Sequence, residues 1–143
     1  MQAAPTAIPM ERTELPAMVA TLCSYESWFG PYHPQTLGLM TTVAIAYWKA
    51  GEVQYARPML ERAVIDLGRH VDRNHDLRLR AIVTLKDILL AQRDYDRAAT
   101  VEKELLDCQT ELLGSDHPDT LATRADLATI LLEKVASDSS RKV

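Results

Sequence analysis

The chain has 143 residues, 47% hydrophobic and 25% charged, a balance that fits one globular domain with a real core and argues against disorder or membrane embedding overall. The net charge of −4 is spread along the chain, which argues against a nucleic-acid reader, since those carry clustered Lys and Arg. Cys23 and Cys108 form no CxxC and no paired spacing, so they read as thiols in a reducing compartment.

The opening MQAAPTAIPM lacks a basic n-region and a continuous apolar h-region, and no apolar run approaches the ~20 residues that span a bilayer. A cytoplasmic protein without membrane contact is expected. Residues 1–12 read as a flexible leader, because Pro5 and Pro9 oppose a helix. From about Thr13 to Phe29 the spacing of Leu15, Met18, Val19, Leu22 and Tyr25 is helical, with Pro16 in the first turn, and Gly30-Pro31 ends it. A second helix follows HPQTL and runs to Ala50, with Met40, Val43, Ala44 and Tyr47 in one stripe. After the Gly51 turn, a third spans about Val53 to His70 with Ala56, Leu60, Ala63, Val64 and Leu67 inward. The fourth, about His75 to Gln92, carries Ile82, Leu85 and Leu89; the fifth, about Tyr95 to Leu113, carries Ala98, Val101, Leu105 and Leu112. The last runs from near Pro118 to about Val135 with Leu121, Leu127, Ala128 and Leu131 inward, and residues 137–143 read as a frayed tail. No segment alternates with period two for long enough to be a strand.

HPQTL at 33–37 and HPDTL at 117–121 bracket a degraded copy, HDLRL, at 75–79, so one period of 42 residues recurs without slippage. Pro16 and Pro58 keep the same spacing and read as the same first-turn position of equivalent helices. A fixed period in this range marks a repeat array, whose units bury their apolar faces against their neighbours.

Met40, Val43, Ala44, Tyr47, Ala56, Leu60 and Ala63, with Gly51 in the turn, follow the tetratricopeptide pattern of large, small and aromatic positions on two helices. In the second unit Leu85, Leu89, Ala98 and Leu105 fit, whereas Lys86 takes the small slot and Glu102 the large one, departures that place its inter-helix packing in question. The 42-residue length, HPQTL, and LLGSDHPDTLATRADLATIL at 112–131 together resemble the kinesin light chain and nephrocystin class of tetratricopeptide repeats. The resemblance covers roughly residues 13–135. It implies an all-α, right-handed solenoid of antiparallel helix pairs with about six helices. The single domain would span 13–136, with units near 33–74 and 75–116, a partial unit at 117–136 and an unpaired helix at 13–29.

Four histidines invite a metal or catalytic reading. His33, His75 and His117 are one repeat position seen three times, which a solenoid keeps a repeat width apart, so they read as turn-fixing residues. His70 and His75 lack the i, i+4 spacing of a helical metal pair, and no phosphate-cradling glycine motif exists. No cofactor, metal site or catalytic group is expected.

The resemblance instead implies a concave groove lined by the first helix of each unit. Spacing of i, i+3, i+7, i+10 away from the core selects Gly38, Thr41, Ile45 and Trp48, then Arg80, Val83, Asp87 and Leu90, then Ala122, Ala125, Thr129 and Leu132. Thr42, Thr84 and Asp126 flank that row. Trp48 offers a large rigid surface with an indole donor, or packs on a neighbouring helix. Arg80 could grip a carboxylate, or pair with Asp87. The Lys and Asn clamp by which some tetratricopeptide domains hold a C-terminal carboxylate is not matched, because Thr41, Ile45, Thr84 and Ala122 stand in its place. The chain opens with a second-type helix and closes with a first-type helix. The reading is therefore a non-enzymatic module that binds a protein or peptide in the groove; the alternative is a structural module, or part of a longer array, whose contacts are the solenoid ends, homo-oligomers included.

Overall fold

A computed structural model describes residues 14–141. Six helices follow one another: α1 Leu15–Phe29, α2 Pro34–Lys49, α3 Val53–His70, α4 Asp76–Ala91, α5 Tyr95–Leu113 and α6 Pro118–Arg141. There is no strand among the described residues. The expected leader at 1–12 lies outside them.

The repeated His-Pro or His-Asp step starts each first-type helix by the same device. His33, His75 and His117 use Nδ1 to accept a hydrogen bond from the amides of Gln35, Leu77 and Asp119, each at 3.1 Å, which satisfies one otherwise unpaired first-turn donor. The rings are N-caps. The turns between first and second helices also repeat: Gly51 has φ 82°, and Arg93, one period later, takes φ 58° in the same left-handed region.

Consecutive helices pack on one another along the whole array, and α2 also meets α4 directly. The main core joins Ala44, Ala56 and Leu60 to Ile82, Leu85, Leu89, Ala98, Leu105 and Ile130; a second cluster unites Leu22, Leu37, Met40, Val43, Ala63 and Leu67. The two departures of the second unit resolve into a pair. Glu102 is fully buried and its carboxylate lies 3.7 Å from Lys86 Nζ, so the two charged residues replace the Ala44 and Leu60 combination of the first unit together. Burial pushes the Glu102 carboxyl above its ordinary value of 4.5; Lys86 opposes the shift, and Asp126 and Asp87 add to it.

A second buried charge stitches three helices. Arg78 is 5% exposed; its Nε donates to Val64 O at 2.8 Å, one terminal nitrogen donates to Arg73 O at 3.0 Å, and the other pairs with Glu104. Gly68 makes room for it, because a Cβ there would stand 2.9 Å from Arg78 Nε. On the outer side, Arg57 bonds Gln92 and Asp94 while Arg97 bonds Glu61 at 2.8 Å, tying α3 to α5.

Four features differ from the sequence reading. Pro58 lies inside α3 rather than in its first turn, because that helix already begins at Val53; the segment equivalent to its first turn precedes Glu14. α6 continues to Arg141, so residues 137–141 are helical and not a frayed tail. Leu121, Ala128 and Leu131 are exposed rather than inward, because α6 rests on α5 through Thr120, Thr123, Leu127 and Ile130, and no described helix covers its other side. Leu112 is likewise half-exposed at 52%.

Two measurements test this packing. His75→Ala should lower stability in urea by about 1 kcal/mol while His75→Asn keeps most of it, since Asn also caps; equal losses would refute the cap. Lys86→Ala should cost about 3 kcal/mol or more by leaving a buried carboxylate unpaired, yet Lys86→Ala with Glu102→Leu should restore or exceed the original stability. Glu102 binds its proton more tightly in the folded state, so its contribution favours folding at acid pH and is lost as pH rises from 4.5 through the raised folded value. The stability of Glu102→Gln should therefore lack that component.

Candidate partner-binding groove

The first-type helices α2, α4 and α6 present one surface row each. Two recesses between α2 and α4 define it. One, of about 120 Å³, is lined by Thr42, Ile45, Ala46, Lys49, Leu77 and Arg80. The other, of about 420 Å³, is lined by Tyr25, Pro34, Gln35, Gly38, Leu39, Thr42, His75 and Leu77. They share Thr42 and Leu77. Gly38 permits the close approach of α4's first turn, since a Cβ there would stand 3.1 Å from the Leu77 side chain.

The row on α2 is thus Gly38, Thr42, Ile45 and Lys49. One period on, it becomes Arg80, Thr84, Asp87 and Ala91, and then Ala122, Asp126, Thr129 and Glu133, all of them exposed or partly exposed. The hydroxyls of Thr42, Thr84 and Thr129 donate to the carbonyls of Gly38, Arg80 and Ala125 on their own helices, leaving oxygen lone pairs toward the surface. The row is graded in charge. Lys49 and Arg80 flank the smaller recess, and Asp87, Asp126 and Glu133 follow toward α6; none of these five is in an ion pair with a described residue.

The residues selected from sequence distribute unevenly over this surface. Ile45 and Arg80 line the recess. Asp87, Thr129 and Leu132 are exposed, and Val83 is 38% exposed. Thr41 is fully buried, its hydroxyl donating to Leu37 O at 2.9 Å, so it offers nothing to a partner. Trp48 and Leu90 are partly buried against the main core, which is the packing role for Trp48. Arg80 and Asp87 do not pair with each other. The spacing rule went astray by one helical position at 41 and 48, because α4 packs over that side of α2. Its counterpart on α4 stays open at Val83, since α4 and α6 do not meet. Thr42, Thr84 and Asp126, read from sequence as flanking the row, belong to it; Lys49 and Glu133, two periods apart, were not singled out, and the helical step of seven residues from Thr42 and Asp126 would have found them.

Among the described residues, no three His, Cys, Asp or Glu side chains form a metal-holding group, and no helix is long and apolar enough to cross a membrane. Burial raises the Cys108 thiol above its ordinary value, which is the setting of a packed thiol.

Residues 87–119, from the second half of α4 to the start of α6, match the tetratricopeptide repeat family. Two solved structures share the fold. One is a Podosopora anserina protein described as a kinesin light chain with nearly identical TPR-like repeats, at TM-score 0.72; the other is a single-substitution variant of it, at 0.73. Both are 23% identical, and the match covers 86% of this chain and 58% of theirs, so the chain spans little more than half their length. No curated protein matches the sequence. Capped first helices, small-residue crossings and a 42-residue register accompany these likenesses: the chain has the fold of TPR-like repeats, and residues 87–119 within it match the tetratricopeptide repeat family.

Proposed function

We propose that this chain is a non-enzymatic protein-interaction module that acts in the cytoplasm and holds an extended peptide across the α2–α4 surface. The observation that carries the reading is the pair of adjoining recesses joined at Thr42 and Leu77, with Ile45 as an apolar wall and the unpaired cations Lys49 and Arg80 beside it. An apolar side chain of the peptide enters beside Ile45, and a neighbouring carboxylate meets Arg80, whose planar fork suits bidentate pairing. The acidic side chains toward α6 repel a uniformly acidic ligand, so the favoured peptide changes from acidic to neutral or basic along its length.

An array of ten-residue peptides graded in charge tests this. The chain should retain peptides with an acidic residue near an apolar one, and Arg80→Glu with Lys49→Glu should weaken their binding at least ~10-fold, with salt sensitivity lost in parallel. Retention unchanged in a variant of native helix content would defeat the reading.

A further inference from the structure

We infer that the seam between α3 and α5 is a second binding site, which takes an aromatic side chain, tryptophan best, from a partner protein. It lies apart from the α2–α4 surface and shares no lining residue with either recess there. α3 and α5 do not meet directly; each packs on α4, which leaves a recess of about 220 Å³ between them. Leu85 and Leu89 of α4 form its floor, and Val64, Ile65 and Val101 form its walls. Ile65 is 51% exposed beside this apolar lining. The volume is below the roughly 300–1,000 Å³ of sites that enclose a whole small molecule, and it suits one large side chain.

The repeat itself shows what belongs in such a place. One period earlier, the positions of Leu89, Arg97 and Val101 carry Tyr47, Tyr55 and Met59. The two tyrosine rings lie 5.3 Å apart, and Tyr47 and Met59 pack against both core clusters. In the second unit Leu89 and Val101 are shorter, and Arg97 reaches across to Glu61 at 2.8 Å. Two changes run the other way: Cys23 to Ile65 and Val43 to Leu85 add aliphatic surface to wall and floor. Aromatic rings thus stand at this place in one unit, and an aliphatic recess takes their place in the next. Its rim complements an indole in charge. The Arg97 guanidinium, 63% exposed, stands at the mouth, where a cation over a ring face favours Trp above Tyr and Phe. Glu104, also at the mouth, pairs with Arg78 through one carboxylate oxygen. The other oxygen has no partner among the described residues, so it is open to an indole N–H, a group that donates and never accepts.

Amide chemical shifts of the isotope-labelled full chain, titrated with the capped tripeptide Gly-Trp-Gly, test this. Shifts should move at Val64, Ile65, Thr100 and Val101 and stay in place at Thr42, Ile45 and Arg80, which separates this seam from the peptide groove. Capped Gly-Leu-Gly should bind about 3-fold more weakly or worse, the margin that a cation over a ring supplies. Val101→Met, which restores the first unit's residue, should weaken the Trp peptide at least ~10-fold with helix content unchanged, because it fills the space in which the ring is buried. Arg97→Gln, at an exposed position, should abolish the preference for Trp over Leu and leave the Leu peptide's affinity as it was. No shift up to about 10 mM Trp peptide, a scale at which only the weakest contacts stay empty, overturns the inference. Shifts confined to the α2–α4 surface, equal affinity for the two peptides, or unchanged Trp binding in Val101→Met overturn it equally. Free indole that binds where the peptide does not would mark a small-molecule site and overturn the protein partner.

Discussion

Close approach of neighbouring helices at small side chains is the constraint on which the rest of this molecule depends. Ala44, Ala56 and Ala63 have no exposed surface, and their size sets how near α2 and α3 can lie. At that separation, Leu37, Leu60 and Leu67 can fill the remaining space without voids. Each helix buries itself on its immediate neighbours, so an error in one contact is paid for locally rather than across a shared core. The His caps serve the same end, because a first helix that starts one residue late would rotate every crossing after it.

The second unit shows how such an array tolerates departure from pattern. A lysine and a glutamate at two packing positions would each be ruinous alone, since an unpaired buried charge is among the largest single destabilising events. They face each other, and the departure becomes one polar contact within an apolar crossing. Arg78 follows the same logic at a position where the other units carry Thr36 and Thr120: Gly68 vacates space for its stem, and backbone carbonyls and Glu104 take its donors.

Element number, order and register were legible in the chain because a 42-residue period states them three times over. The core stripes of α2 to α5 were legible too, Leu112 near the end of α5 apart, since these helices have neighbours on both sides. Reading failed where a neighbour is missing. Leu121 and Leu131 look like core residues by spacing, and they are core positions of a pair whose second member is not among the described residues. Thr41 and Trp48 were placed in the groove because an idealised helix wheel cannot know that α4 leans over α2. The Lys86–Glu102 contact was hidden for a different reason: two departures 16 positions apart read as two faults until the fold brings them to 3.7 Å.

The missing contact between α4 and α6 has a mechanical meaning. α2 and α4 are braced twice, directly and through α3, whereas α6 is held to the remainder only through α5. The difference is one of bracing. Lys134 and Asp96, at 2.7 Å, add an ion pair along the α5–α6 contact. The row formed by Thr42, Ile45 and Lys49 stands on the doubly braced pair, whereas Asp126 and Thr129 stand on the singly braced helix. A ligand lying along the whole surface would therefore meet two halves of unequal support, with fewer contacts holding the α6 half in place.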